Sequence, residues 1–198
     1  MTSGQPGLFP SNVGTPAGLA PTLISSSDAQ KAAELLGWGQ RVAPRMTLFG
    51  VQAYPVVDIS ERAHDLRERL DQPPVLDHDV LAVWQWPEAA PMRAPEVVKL
   101  RGALSSARSW RSALSGASRL RGFCSTAVMA TSPLVHEEEC LLECKLQGVG
   151  MLAVDSSGQL RVVEPARRGR SPQARRRTLD RWIEELIYQE LIHAGALA

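Results

Sequence analysis

The chain has 198 residues, an apolar fraction of 44% and a net charge of +1, which suits one domain with a buried core. No apolar stretch approaches the ~20 residues of a membrane-spanning helix, and the first basic side chain is Lys31, so a secretory signal is excluded. We therefore expect a cytoplasmic protein without a membrane partner.

The first 26 residues carry no charged side chain and are rich in glycine, proline, serine and threonine. This composition predicts a disordered tail over 1–26, followed by a single domain over 27–198. Capping residues, prolines and hydrophobic periodicity then divide the domain. In chain order they predict a helix at 28–36, a strand at 46–54, a helix at 61–70, a strand at 80–86, a helix at 96–119, strands at 123–131, 140–155 and 159–163, and a helix at 178–193.

These elements predict an α+β fold, with a mainly antiparallel sheet of about five strands and helices packed on one face. The alternation of apolar and polar residues is strongest from Cys140 to Asp155. The run Asp155–Gly158 is typical of a hairpin turn. The helix at 178–193 carries a broad apolar stripe, which predicts packing on the sheet or, alternatively, a surface for a protein partner or self-association.

The most informative feature of the chain is the arginine-rich segment Arg167–Arg177, which precedes that last helix. It carries a charge of +6 and the chain totals +1, so the remainder carries −5. Such a polarised distribution favours an anionic partner, because each guanidinium can replace a counterion on a phosphate. The predicted polyanion-binding residues are Arg167, Arg168, Arg170, Arg175, Arg176 and Arg177.

The same region supports a second hypothesis. The run Val163–Arg170, between a predicted strand and a predicted helix, resembles the pyrophosphate-binding turn of the acyl-CoA N-acyltransferase family. That resemblance implies a degenerate acyl-CoA-binding protein. The sequence departs from the family pattern at Ser171, Pro172 and Gln173, where the later glycines would stand, and proline lacks an amide donor.

A third hypothesis concerns Glu143 and Lys145 on the predicted strand 140–155. Residues two apart on a strand project to the same side, and this pair resembles the E-x-K motif of the PD-(D/E)xK nucleases. The resemblance implies a metal-dependent nuclease with Glu143 and Lys145 as weak catalytic candidates. The upstream acid of that motif is missing, because residues 122–132 contain no Asp or Glu.

Two further clusters have simpler explanations. His136, Cys140 and Cys144 are spaced by four. On a helix they would lie about 6 Å apart per step and could share one zinc ion. On the predicted strand they lie about 13 Å apart per step, which is too far for one metal, and the cysteines are expected to be core thiols. The run Asp77–Asp79 is a polar turn before the predicted strand at 80–86, and His64 is expected to face solvent in its charged helix. The sequence therefore predicts neither a metal site nor a cofactor.

The leading hypothesis is a non-catalytic accessory or regulatory protein that contacts nucleic acid or another polyanion through its arginine-rich segment. The alternatives are the nuclease, the acyl-CoA-binding protein and an interaction module that uses the C-terminal helix. The sequence leaves open whether the chain has any catalytic activity.

Overall fold

A computed structural model describes residues 24–39, 41–106, 109–131, 138–155, 157–167 and 177–197. Most of the expected tail, 1–26, lies outside these residues. The strands are β1 (Arg41–Val42), β2 (Met46–Leu48), β3 (Val51–Ile59), β4 (Val98–Ser105), β5 (Ser125–Thr131), β6 (Gly150–Val154) and β7 (Leu160–Glu164). The helices are α1 (Ser26–Leu35), α2 (Glu61–Arg69), α3 (His78–Val83), a 3-10 helix (Pro87–Met92), α4 (Trp110–Leu120), α5 (Glu138–Gln147) and α6 (Thr178–His193).

The strands of the described residues form one seven-stranded sheet in the order β1-β3-β4-β5-β6-β7, with β2 also paired to β3. β5 runs parallel to both β4 and β6, and the other neighbours are antiparallel. The predicted α+β class is confirmed. The sheet is larger than the predicted one, with seven strands among the described residues. It is mixed, because α4 and α5 serve as crossovers between parallel strands.

Helices cover both faces of the sheet. On β5, Ala127 and Met129 pack in the cluster that contains α1, whereas Val128 and Ala130 pack in the cluster that contains α4 and α5. The α6 residues belong to a third cluster, which includes Ala103 on the α4 side of the sheet. The prediction of helices on one face is therefore wrong, because the central strands are apolar on both sides.

Several predicted elements are confirmed. The helices α1, α2 and α6, the strand β5 and the hairpin between β6 and β7 all form where the sequence predicts them. The hairpin turn is organised by the Asp155 side chain, whose Oδ1 accepts from the amides of Ser157 at 2.8 Å and Gln159 at 2.9 Å. The apolar stripe of α6 is buried in the core, with Ile183 and Ile187 at 1% and 0% exposure.

The predicted strand at 80–86 is wrong, because α3 begins there. Asp77 caps this helix, and its Oδ1 accepts from the amides of Asp79 at 2.8 Å and Val80 at 3.3 Å. Capping satisfies amides at the start of a helix that otherwise lack partners. The local cap thus outweighs the β-propensity of the residues that follow it.

Three more predictions are wrong in part. The segment 46–54 is a hairpin rather than one strand, because Phe49 (φ 50°) and Gly50 (φ 75°) form a two-residue turn. The predicted helix at 96–119 is strand β4 followed by α4, and the predicted strand at 140–155 is α5 followed by β6. β3 also continues through Pro55, whose carbonyl accepts from the Ala43 amide at 2.8 Å.

None of the described helices combines the length and apolar character needed to cross a membrane.

Candidate functional site

The N-terminal end of the arginine-rich segment is fixed against the end of α5. The Arg167 amide donates to the Gly148 carbonyl at 3.2 Å. A Cβ at position 148 would lie 2.8 Å from the Arg167 side chain, and Gly148 has a φ of +65°. The positive φ favours glycine at this position, and any larger residue would displace the Arg167 side chain. The chain therefore leaves β7 in close contact with the C-terminal end of α5.

The C-terminal end of the segment lies at the turn between α4 and β5. Arg177 donates through Nη2 to the Gly122 carbonyl at 3.3 Å, and its guanidinium lies 5.6 Å from the centre of the Phe123 ring. Asp180 fixes the start of α6 by accepting from the Arg177 amide at 2.7 Å. Arg177 thus connects the first turn of α6 to the turn before β5.

Arg121 is next to both contacts: it precedes Gly122 in the chain, and its side chain reaches the residue before Gly148. It follows α4 and donates through Nη1 to the carbonyl of Gln147, the last residue of α5. We name the surface formed by Arg121, Arg167 and Arg177 the basic edge; all three residues are exposed. Two helices end at this surface, and the partial negative charge of their terminal carbonyls favours cations there.

The basic edge also contains acidic side chains. The Asp180 carboxylate lies 3.8 Å from the Arg177 guanidinium, and Glu164 ends β7 three residues before Arg167. The described part of this surface is therefore only weakly positive. The other four predicted polyanion-binding residues, Arg168, Arg170, Arg175 and Arg176, lie outside the described residues.

Glu143 and Lys145 lie on α5, so the predicted strand motif is wrong in its geometry. Successive helical residues are about 100° apart, which places these two side chains about 200° apart around the helix. Glu143 instead accepts from Gln147 Nε2 at 3.0 Å. Within the part of the chain that the structure describes, no group of three or more His, Cys, Asp or Glu residues is arranged to hold a metal ion.

The cysteines belong to the core. Cys140 and Cys144 are one helical turn apart on α5 and have no exposed surface. Burial, reinforced by the neighbouring Cys140, raises the pKa of the Cys144 thiol to about 12, and burial alone raises the pKa of Cys124 to about 12. Such thiols are protonated at neutral pH and unreactive. His136 lies outside the described residues.

A buried ionic network was missed at the sequence level. Arg67 is 1% exposed and donates through Nη1 to both carboxylate oxygens of Glu185, at 2.9 and 3.0 Å. Arg181 reaches the same carboxylate at 2.7 Å. His64, expected to face solvent, is buried and lies 2.9 Å through Nδ1 from the Tyr188 hydroxyl. The sequence signal was the position of Arg67 one helical turn after Ala63, which packs against the core, although Leu66 in this helix and Leu70 at its end are exposed.

A cavity of about 450 Å³ lies between α3 and the first turn of α6. Its wall includes Arg93 and Glu96 from the segment before β4, together with Arg177 and Arg181 from α6. A second cavity of about 560 Å³ lies between α4 and α5. Only the first cavity shares a residue, Arg177, with the basic edge.

Comparison with known proteins identifies no relative. No family model matches the chain, and no curated protein or solved structure is significantly similar to it.

Proposed function

We propose that this chain is a non-catalytic accessory or regulatory protein that binds nucleic acid or another polyanion through the segment Arg167–Arg177. One observation carries the proposal: six arginines occur within these eleven residues, without an acidic residue among them. Guanidinium groups bind phosphate through paired hydrogen bonds. Both ends of the segment lie beside Arg121, which adds a further cation to the surface.

The mode of binding follows from the types of side chain present. The segment contains no aromatic residue on which a base could stack. The nearby Phe123 ring already has two contacts, since the Phe49 ring stacks on it at 5.1 Å and the Arg177 guanidinium lies 5.6 Å from its centre. Contacts with phosphate groups therefore dominate, and we expect binding that depends strongly on salt and weakly on base sequence.

The alternative functions have less support. The nuclease hypothesis required Glu143 and Lys145 on one strand face, and they lie on a helix. The interaction-module hypothesis required an available apolar stripe on α6, and that stripe packs in the core. Of the run Val163–Arg170, which resembles a turn of the acyl-CoA N-acyltransferases, residues 163–167 form the end of β7 and the residues after it, and 168–170 lie outside the described residues. Because the described part does not include the whole turn, that hypothesis stays a prediction.

The test is binding of DNA and RNA duplexes and single strands across a salt series. The variant replaces Arg175, Arg176 and Arg177 with Ala. Each phosphate contact adds about 0.9 to the slope of log affinity against log salt for duplex DNA. We therefore expect weaker binding and a slope that is smaller by up to about 3.

The matched control replaces Arg41, Arg62 and Arg69, three exposed arginines elsewhere on the domain, with Ala. It removes the same net charge without altering the segment, and we expect it to keep most of the affinity. Circular dichroism of both triple variants verifies that they are folded. Equal affinity of the two triple variants, or the absence of salt-dependent binding in the parent protein, would overturn the proposal.

A further inference from the structure

The cavity between α3 and α6 has walls of two kinds. Leu81 from α3 and Trp84, which follows that helix, supply an apolar side; the Arg181 guanidinium lies 5.5 Å from the centre of the Trp84 ring and leaves the rest of the indole to the cavity wall. Gln85, which donates to the Thr178 hydroxyl across the cavity wall, and the charged residues supply a polar side. A concave site with an apolar wall and a few converging polar groups is typical of small-ligand binding, and about 450 Å³ lies within the usual range for such sites.

The charged residues of the wall are mainly basic. Three arginines, Arg93, Arg177 and Arg181, contribute to it, against a single carboxylate from Glu96. Glu96 lies 3.4 Å from Arg181, which also pairs with Glu185 at 2.7 Å. Arg177 lies 3.8 Å from the Asp180 carboxylate, so the positive excess of the wall comes chiefly from the exposed Arg93.

Arg93 is the residue best placed to bind an anion. It is held in position by a hydrogen bond of 2.9 Å from Nη2 to the Trp86 carbonyl. Among the described residues, no carboxylate forms an ion pair with it. Its charge is thus oriented toward the cavity wall without being neutralised, and a bound anion would supply the missing partner.

We propose that this cavity binds a phosphomonoester, with the phosphate on Arg93 and Arg177 and the organic group against Trp84. A terminal phosphate suits a concave site better than an internal phosphodiester, because it carries more charge and has one free end. Two sources share this chemistry: a free nucleotide and the phosphorylated end of a nucleic acid. The second source rests on the proposed function, since Arg177 belongs to both the cavity and the basic edge.

Calorimetric titration with inorganic phosphate and adenosine 5′-monophosphate tests the cavity itself. We expect the nucleotide to bind more tightly than phosphate, and binding of both to weaken roughly tenfold in Arg93→Gln, since one charge-assisted contact is lost. Glu96→Gln should instead tighten binding a few-fold by removing a like charge. Arg41→Gln, an exposed arginine outside the cavity, is the matched control and should behave as the parent protein. Thermal unfolding verifies that each variant is folded.

Single-stranded octamers with and without a 5′-phosphate distinguish the two sources. Tighter binding of the phosphorylated octamer, with the difference lost in Arg93→Gln, identifies the nucleic-acid end. Equal binding of the two octamers, with nucleotide binding retained, identifies the free nucleotide.

The same titrations separate this proposal from the previous one. Nucleotide binding without any octamer binding supports the cavity and contradicts a single-stranded nucleic acid as the partner in the proposed function. Salt-dependent octamer binding without an effect of the 5′-phosphate, and without phosphate or nucleotide binding, overturns the cavity and leaves the proposed function standing. Identical behaviour of Arg93→Gln and Arg41→Gln also overturns the cavity.

Discussion

Two arginine–glutamate pairs with nearly the same geometry lie in opposite environments. Arg67 and Glu185 are 2.9 Å apart, with side chains 0% and 3% exposed. Arg111 and Glu139 are 2.6 Å apart, with both side chains 64% exposed. Distance alone would rank the exposed pair as the stronger. The cost of removing one partner follows the opposite order. The charge left behind in the exposed pair is hydrated, whereas the charge left behind in the buried pair cannot be rehydrated.

The comparison clarifies why arginine has two roles in this chain. The buried arginine joins α2, α6 and the loop after α2, where its Nε also donates to the Gln72 carbonyl at 3.1 Å. Arg121 and Arg177 of the basic edge are exposed and donate to backbone carbonyls, and Arg177 also lies 3.8 Å from the Asp180 carboxylate. The first kind of arginine is part of the buried network, whereas the second kind is where we propose that an anion binds. Substitutions that change the stability of the protein without changing its binding, or the reverse, test this distinction between buried and exposed arginines.

Arg67→Met is expected to have the largest effect on stability. It leaves the buried Glu185 carboxylate with Arg181 at 2.7 Å and the Val75 amide at 3.0 Å as partners. An uncompensated buried charge costs about 3–5 kcal/mol, and because these two partners remain we expect a loss of about 3 kcal/mol. Urea denaturation measures the free energy of unfolding. Arg69→Ala, an exposed arginine on the same helix, is the control and should change that energy by less than about 0.5 kcal/mol. A loss in Arg67→Met as small as that of the control would contradict the role assigned to the network.

The buried thiols of Cys124 and Cys144 make the stability of the protein depend on pH. Burial raises the pKa of Cys124 and Cys144 from 9.0 to about 12. The unfolded chain then releases these protons first, so the stabilising contribution is complete below pH 9 and is lost as the pH rises toward 12. Between pH 9 and pH 10 the two thiols together should cost about 2 kcal/mol.

The measurement is urea denaturation at a series of pH values from 7 to 10, within the reversible range. The double variant Cys124→Ala, Cys144→Ala lacks these two titrating groups. It should be less stable at pH 7, because methyl groups replace larger buried side chains, and it should lose less stability with increasing pH. Parallel pH profiles of the variant and the parent protein would show that the thiols do not titrate differently in the folded state.

Burial also explains which parts of the fold could be predicted from the sequence. The helix α6 was predicted because its apolar residues repeat at helical spacing and are buried. α5 was predicted as a strand because Leu142 and Leu146 alternate with polar residues, yet these leucines are 57% and 64% exposed. The buried positions of α5 are Cys140 and Cys144, four residues apart. The strand prediction was wrong because it assumed that the apolar Leu142 and Leu146 are buried, and they are exposed.

Of the candidate site, the arginine-rich segment could be predicted from the sequence, but the cavity between α3 and α6 could not. The arginine-rich segment is visible as composition, and charge density needs no tertiary information. The cavity beside it combines Arg93 and Trp84 with residues of α6, and the element predicted around Trp84 was a strand rather than the helix α3. Its assembly depends on the cap at Asp77 and on the packing of α3 against α6, neither of which follows from local spacing.

Arg111→Ala is expected to have the smallest effect, despite the close contacts of the side chain. Its Nη2 lies 2.7 and 2.6 Å from the two oxygens of Glu139, and its guanidinium lies 4.4 Å from the centre of the Trp110 ring. Both groups of the ion pair regain water when it breaks, so the loss should be below about 1 kcal/mol. Adding Glu139→Ala and completing a double-mutant cycle isolates the pair itself, and its coupling should fall further when the salt concentration is raised. A coupling energy as large as the cost of Arg67→Met, and insensitive to salt, would show that exposure does not separate the two pairs.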